Sequence, residues 1–241
     1  MRSDITIEIC CADIHSVILA QKYNVDAIEL CVDLQHGGLT PSIALIKKAR
    51  SIFKKEMAVF FRPRNGNFVY DEIEQEIILE DIQTAIDLGI DTIVAGGLTN
   101  TGNLDISFLK KLRAISQGKI LSYHRAIDVA ENPLNVLSQL IELNVDRLLS
   151  SGCASNAVNG IQTLKNWNQK FGDQIEIMAA GGIQAENIGD ILNKTGLKRF
   201  HASLRQASNQ IEGIMNLGCK EQADEALIQE LIHKVSIINS K

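Results

Sequence analysis

Eight short apolar segments alternate with eight helical patterns along the chain, and this alternation constrains the fold more than any other feature. The segments recur roughly every 20 to 35 residues, and each passes into a loop rich in Gly, Asn, Ser or charged residues. The first reads TIEIC, the second AIELC and the last RFHAS. We therefore predict an α/β protein, a single TIM-like (β/α)8 barrel of parallel strands over residues 1–241.

An open doubly wound sheet is the alternative arrangement. It favours a GxGxxG turn after an early strand and seldom holds eight parallel strands in one domain, and the chain has no such motif. Residues 204–220 form a long polar segment that contains Cys219. We predict a loop there, followed by a final helix at about 223–238.

Charge and cysteine content exclude several classes of protein. The 24 Lys and Arg against 29 Asp and Glu give a net charge of −5 without a basic stripe, so we expect no nucleic-acid partner. No apolar run approaches about 18 residues, and no signal sequence precedes the first strand, so we expect a cytoplasmic protein without a membrane partner. The five cysteines are odd in number and lack CxxC spacing, which predicts reduced thiols.

Polar residues mark the starts of several predicted helices. Asp105 is predicted to cap one helix, and Asn132 and Pro133 to begin another. After the second strand, Thr40 is predicted as the N-cap, with Pro41 as the first helical residue, where its missing N–H costs nothing.

Chemically active side chains cluster at the predicted carboxyl ends of the strands. Residues two apart share a face of a strand, so Glu8 projects with Cys10, and Glu29 with Cys31. In a closed barrel the eighth strand adjoins the first, which brings His201 beside Glu8 and Cys10. By the same alternation Arg62 and His124 also face the barrel interior.

Cys10 and Cys31 are the candidate metal ligands. Neighbouring strands lie about 5 Å apart, close enough for two sulfurs to share one ion. Thiolates select Cu(I) or zinc, and zinc needs four ligands, for which His201 or a carboxylate would be recruited. The alternative is that both cysteines are small buried apolar residues.

Glu8 and Glu29 are candidate acid and base groups. Carboxylates inside a barrel must be paired, hydrogen-bonded, bound to metal or protonated, and Arg62 and Arg64 are the expected partners. They form either a structural salt-bridge network or an acid/base pair with one raised pKa. His124 is either a proton shuttle or a hydrogen-bonded wall residue.

A glycine pair after the seventh strand is a candidate anion site. Gly181 and Gly182 precede a helix start at about 186–187, an arrangement with which many barrels hold a phosphate, although such pairs are also plain connectors. Arg125 after the fifth strand and Ser203 after the eighth add candidate anion contacts, together with His201.

Eight motifs together resemble the CutC family of copper homeostasis proteins, over about residues 6–203. They are EIC (8–10), IELC with GGLTPS (28–42), FRPRNGNF (61–68), GGLTNTGNLD (96–105), HRAID (124–128), LLSSGC (148–153), AGGI (180–183) and FHAS (200–203). The resemblance implies a cytoplasmic TIM-barrel-like protein, a homodimer or larger, that binds Cu(I) through Cys10 and Cys31.

Two functions follow from these residues. One is a Cu(I)-binding protein that uses Cys10 and Cys31 and no organic cofactor. The other is an enzyme for a small phosphorylated or carboxylated metabolite, with Glu8 or Glu29 as acid or base. In the enzyme His124 assists, and the anion contacts come from Arg62, Arg64, Arg125, Gly181, Gly182, His201 and Ser203. A scaffold protein that uses its outer helices for oligomer contacts is a third reading.

Overall fold

The computed structural model describes residues 5–116, 118–205 and 222–240, and eight parallel strands within these ranges close into one barrel. They follow chain order around the barrel, and the last pairs with the first, so the predicted (β/α)8 fold is confirmed. Most of the predicted 204–220 loop, with Cys219, lies outside the described residues. The strands are β1 (Thr6–Cys11), β2 (Ala27–Leu30), β3 (Glu56–Phe60), β4 (Thr92–Val94), β5 (Ile120–Tyr123), β6 (Arg147–Ser150), β7 (Glu176–Ala180) and β8 (Arg199–Ala202).

The helices surround the barrel and pack their apolar faces on its outer surface. None of the helices described is both long enough and apolar enough to cross a membrane. They are α1 (Ile14–Lys22), α2 (Ile43–Ile52), α3 (Glu72–Asp87), α4 (Ile106–Ile115), α5 (Pro133–Glu142), α6 (Ile161–Phe171), α7 (Ile188–Thr195) and α8 (Glu225–Asn239).

Two of the three predicted helix starts are confirmed. Asp105 caps α4, and Asn132 caps α5 with proline at the first position. The prediction for α2 was wrong, because Ser42 is the N-cap and its side chain accepts from the amide of Leu45. The Thr40 hydroxyl instead accepts from the amide of Arg62, which ties the β2–α2 loop to the end of β3.

Alternation along the strands separates the barrel interior from the layer between strands and helices. On β1, Ile7, Ile9 and Cys11 pack in the large core under the helices, whereas Cys10 packs with Cys31 in a small cluster inside the barrel. The predicted inward face of β1 is therefore the face that the structure shows.

A ring of charges, here called the basal charge network, lies where β3, β6, β7 and β8 begin. Arg147 donates to Glu56 at 2.8 Å and to Glu176 at 2.6 Å. Arg199 donates to the same two carboxylates at 3.1 Å each. The network satisfies these charges with one another at the amino end of the barrel, which leaves the carboxyl end for a functional site.

Candidate functional site

A cavity of about 210 Å³, here called the mouth cavity, opens at the carboxyl ends of the strands. A larger hollow of about 770 Å³ lies at the opposite end beside the basal charge network, and none of the sequence-predicted site residues lines it. The chemistry therefore places the candidate site at the smaller cavity. Its lining includes Cys10, Glu29, Phe60, Phe68, His124, Arg125, Gly181, Gly182, His201, Ser203 and Arg205.

Cys10 and Cys31, here called the thiol pair, lie at the base of this region. Their Sγ atoms are 3.5 Å apart, and both residues are buried. The β1–β2 register sets Cys10 opposite Glu29, and Cys31 follows two residues later, just past the end of β2, where its amide donates to the carbonyl oxygen of Cys11. Sγ of Cys10 is also 4.0 Å from Oε1 of Glu29. Two sulfurs and one carboxylate oxygen thus lie within reach of a single ion.

The neighbouring thiol controls the protonation of Cys10. Contact with Cys31 and then burial raise the pKa of the Cys10 thiol well above its ordinary value, against a smaller opposing effect of His201. The thiol therefore keeps its proton at neutral pH unless a cation replaces it.

Glu8, Glu29 and His201, here called the carboxylate–histidine cluster, lie next to the thiol pair. The β1–β8 register places His201 opposite Glu8, as the sequence predicted, and Nδ1 of His201 is 2.8 Å from Oε1 of Glu8. Glu8 is fully buried and Glu29 is 4% exposed. Neither Oε2 atom has a hydrogen-bond donor among the residues that the structure describes.

Burial and mutual charge shift the titration of this cluster. Burial, aided by the Glu8 charge and opposed by His201, raises the pKa of Glu29 to about 7. Burial lowers the pKa of His201, but the Glu29 charge and the contacts with Cys10 and Glu8 outweigh it and raise the pKa well above its usual value. The cluster therefore retains protons near neutral pH, which suits an acid/base role for Glu29.

His124 is a neutral wall residue of the cavity. Its ring lies 4.6 Å from that of Phe68 and 5.4 Å from that of Phe60, and its Nδ1 accepts from the amide of Ala126. Burial and the positive charge of Arg62 lower the pKa of His124 to about 3. With Nδ1 accepting, the neutral ring carries its proton on Nε2, so His124 can donate a hydrogen bond but is a poor base.

The two arginines of the RPR motif organise loops. Arg62 is buried over the ring of Phe68 at 4.9 Å, and Arg64 pairs with Glu74 at the start of α3. The sequence predicted an arginine partner for the buried carboxylates, but in the structure Glu8 contacts His201 instead. Arg64 lies apart from the mouth cavity. Arg62 donates to the carbonyl oxygens of His36, Gly38 and Gly66.

The remaining candidate anion contacts do meet at the cavity. Gly181 and Gly182 have φ of +91° and +74°, and a Cβ on Gly181 would lie 3.3 Å from the Ser151 side chain and 3.5 Å from Nη1 of Arg125. The positive φ of both residues is the reason for glycine in this turn, since the contact with Arg125 alone would tolerate a Cβ. The Oγ atom of Ser203 is buried without a hydrogen-bond partner among the described residues.

Sequence reasoning missed Asp128, which positions Arg125. The carboxylate accepts from Nε of Arg125 at 2.8 Å and from the side chain of Ser150 at 2.6 Å. It also accepts from the amides of Ser151 and Cys153, so it fixes the loop after β6. The available signal was the HRAID motif, in which an aspartate follows the strand-end arginine by three residues.

The comparison with protein families identifies the chain. The sequence model of the CutC family matches residues 5–206. The chain belongs to the CutC family.

Individual CutC relatives match over most of the chain. The CutC family protein of Glaesserella parasuis serovar 5 is 35% identical over 241 residues, which cover 96% of this chain and 99% of the relative. The human copper homeostasis protein cutC homolog is 34% identical, covering 82% of this chain and 72% of the human protein. The crystal structure of CutC from Streptococcus agalactiae aligns with a TM-score of 0.78 at 34% identity, covering 82% of this chain and 97% of that one.

In this CutC family member, His124 is expected to make stability fall in acid. Its depressed pKa contributes stability that is complete above the unfolded pKa of about 6.5 and is lost as pH falls toward 3. Between pH 7 and pH 4 the loss is about 3 kcal/mol for this group. His124→Asn, which keeps a side-chain acceptor for the Ala126 amide, should remove that part of the pH dependence in urea unfolding.

His15→Asn is the matched control, since His15 is exposed on α1. It should retain the pH dependence of the wild type. An unchanged acid slope in His124→Asn would show that His124 is not held neutral in the folded protein.

Proposed function

We propose that this protein binds Cu(I) through the thiolates of Cys10 and Cys31. The observation that supports this most is the 3.5 Å separation of the two buried sulfurs. A metal–thiolate bond is about 2.3 Å long, so two sulfurs bound to one ion lie at most about 4.6 Å apart. The observed separation is within this limit, and both sulfurs can therefore bind the same ion with little movement. The human relative carries the name copper homeostasis protein, which agrees with copper as the cargo.

The donor set favours Cu(I) over zinc. Two thiolates are soft ligands, and Cu(I) can be bound by two such ligands alone. Structural zinc instead takes four ligands in a tetrahedron. The next donors are Oε1 of Glu29, 4.0 Å from Cys10, and the ring of His201, which already contacts Glu8. The positive ion would also replace the proton that the neighbouring thiol and burial hold on Cys10.

Anaerobic competition against a chromophoric Cu(I) chelator tests this proposal. The wild type should take up one Cu(I), and the Cys10→Ser/Cys31→Ser double variant should bind at least about a hundredfold more weakly, because serine hydroxyls are poor ligands for a soft ion. Cys153→Ser is the control, since this cysteine is exposed and outside the thiol pair. Equal affinity in the wild type and the double variant would contradict the proposal.

A second candidate function is catalysis on a small phosphorylated or carboxylated metabolite. The observation in its favour is the mouth cavity, which has Glu29, with a pKa raised to about 7 chiefly by burial, on one side and Arg125 with Gly181 and Gly182 on another. A general base works best with a pKa near the operating pH, and an arginine beside a glycine turn suits an anionic group. In this reading His124 donates a hydrogen bond.

A screen of anionic metabolites by melting temperature tests the second function. A true ligand should raise the melting temperature of the wild type, and Arg125→Gln should reduce that rise. Lys194→Gln, on the exposed face of α7, is the control. Failure of every phosphorylated and carboxylated compound to shift the wild type would count against this function.

We further propose that the protein works in the cytoplasm as a homodimer or larger assembly of single-domain chains. The described cysteines Cys10, Cys11, Cys31 and Cys153 are all unbridged, which agrees with a reducing compartment. Light scattering of the purified protein gives the oligomer number.

A further inference from the structure

We propose that the carboxylate–histidine cluster of Glu8, Glu29 and His201 is a second cation site, built for a divalent first-row metal ion and adjoining the thiol pair. Its donors are two carboxylates and one imidazole, which prefer ions such as Mn²⁺, Fe²⁺ or Zn²⁺ to Cu(I). The proposal does not rest on Cu(I) binding, since Cys10 and Cys31 are not among its ligands, although Glu29 is within reach of both sites and His201 also contacts Cys10.

The three side chains converge from three adjacent strands. β8, β1 and β2 are neighbours in the barrel, and one donor atom from each residue lies within 4.8 Å of the others. Bonds of about 2.1 Å to a shared ion require separations up to about 4.2 Å, so small side-chain rotations complete the site. Strands hold the backbone of all three ligands, which keeps their relative positions fixed.

Both carboxylates offer a buried oxygen with no partner. Oε2 of Glu8 and Oε2 of Glu29 have no hydrogen-bond donor among the residues that the structure describes, although Glu8 is fully buried and Glu29 is 4% exposed. An unsatisfied buried carboxylate oxygen is costly. A cation between the two carboxylates would satisfy both.

Two buried arginines direct their Nη groups to acceptors outside the cluster. Arg62 donates to backbone carbonyls of the loops, and Arg147 donates to Glu56 and Glu176 in the basal charge network. Among the described residues, His201 contacts the carboxylates of the cluster directly, through the 2.8 Å approach of Nδ1 to Glu8. The two carboxylates therefore face one imidazole, and a metal ion between them would supply positive charge that Arg62 and Arg147 do not provide.

Metal binding exchanges a cation for the protons of the cluster. The proton shared by His201 and Glu8 leaves to solvent, together with any proton held by Glu29, so that the neutral imidazole donates a lone pair to the ion and Glu8 and Glu29 bind as carboxylates. Glu29 and His201 line the mouth cavity, so an ion can enter from the cavity. Its open positions would face the cavity, where water or a substrate oxygen can bind.

Titration with Mn²⁺, followed by the loss of the electron paramagnetic resonance signal of the free ion, tests the site. The wild type and the Cys10→Ser/Cys31→Ser variant should both bind one Mn²⁺, which separates this site from the proposed Cu(I) site. Glu8→Gln and His201→Gln should each weaken binding at least tenfold. Glu131→Gln, an exposed carboxylate at the same end of the barrel, should bind as the wild type does.

A second measurement needs no variant and so does not depend on how the variants fold. Electron spin-echo modulation of the Mn²⁺-loaded wild type should show one imidazole nitrogen coupled to the ion. The absence of stoichiometric Mn²⁺ binding, or bound Mn²⁺ without nitrogen coupling, would overturn the proposal. Loss of Mn²⁺ binding in the thiol double variant, with its melting temperature unchanged, would also overturn it.

Discussion

Replacing Arg147 with Met is expected to lower the free energy of unfolding by about 3 to 5 kcal/mol, the usual cost of removing one partner from a buried ion pair. The Arg147 side chain is 3% exposed and donates to Glu56 at 2.8 Å and Glu176 at 2.6 Å. Methionine fills similar space but carries no charge. Glu56 then loses its ion pair with residue 147 and keeps Arg199 as its partner within the basal charge network. The lost charge, more than lost packing, therefore sets the size of the effect.

Urea unfolding measures this change, and Lys194→Met is the control. Lys194 and Asp190 form an exposed pair on α7, which should contribute less than about 1 kcal/mol. A loss below 1 kcal/mol in Arg147→Met would show that the basal network is not a significant source of stability. Cu(I) affinity should stay unchanged in the folded variant, because the network lies at the opposite end of the barrel from the thiol pair.

Asp128→Ala is expected to cost at least about 3 kcal/mol of unfolding free energy, since hydrogen bonds to a charged group contribute about 1.5 to 3 kcal/mol each. The 6% exposed carboxylate holds Arg125, Ser150 and the amides of Ser151 and Cys153. Its loss leaves the donors of Ser150 and Ser151 unpaired and removes the partner of Nε of Arg125, which is then held beside Gly181 by its Ser151 hydrogen bond. We therefore expect reduced stability together with a weaker response to anionic ligands.

Asp190→Ala is the matched control for Asp128→Ala, because the Asp190 side chain is half exposed and pairs with Lys194 in an i, i+4 contact on one helix. Thermal and urea unfolding of the two variants should differ by several degrees and by at least about 2 kcal/mol. Equal stability of the two variants would show that the Asp128 network does not hold the β6 loop in solution.

The fold and the inward set of side chains could be predicted because they depend on periodicity. Alternation along β1 and closure of the barrel are sufficient to place Glu8 and Cys10 beside His201, and the structure confirms this neighbourhood. No loop geometry enters that argument.

Partners across loops could not be predicted in the same way. Arg64 pairs with Glu74, and the guanidinium of Arg62 donates to backbone carbonyls, because the β2 and β3 loops fold back on these side chains. Likewise, Ser42 caps α2 in place of Thr40, because the Thr40 hydroxyl accepts from the amide of Arg62. These contacts follow from loop conformation, which short-range sequence pattern does not determine.

The strand register limited the prediction of the thiol pair. The cysteines were expected at the carboxyl ends of neighbouring strands, and the register sets Cys10 opposite Glu29, with Cys31 two residues beyond that glutamate. Sulfur contact at 3.5 Å therefore depends on side-chain direction as well as strand spacing. Only the structure could show that the offset still leaves the two sulfurs in contact.

X-ray absorption spectroscopy at the copper edge of the Cu(I)-loaded protein tests the central proposal most directly. We expect two sulfur neighbours at thiolate bond length, an unchanged spectrum in Cys153→Ser and loss of the sulfur neighbours in Cys10→Ser/Cys31→Ser. A copper ion bound by nitrogen or oxygen alone, or by sulfur that persists in the double variant, would contradict it.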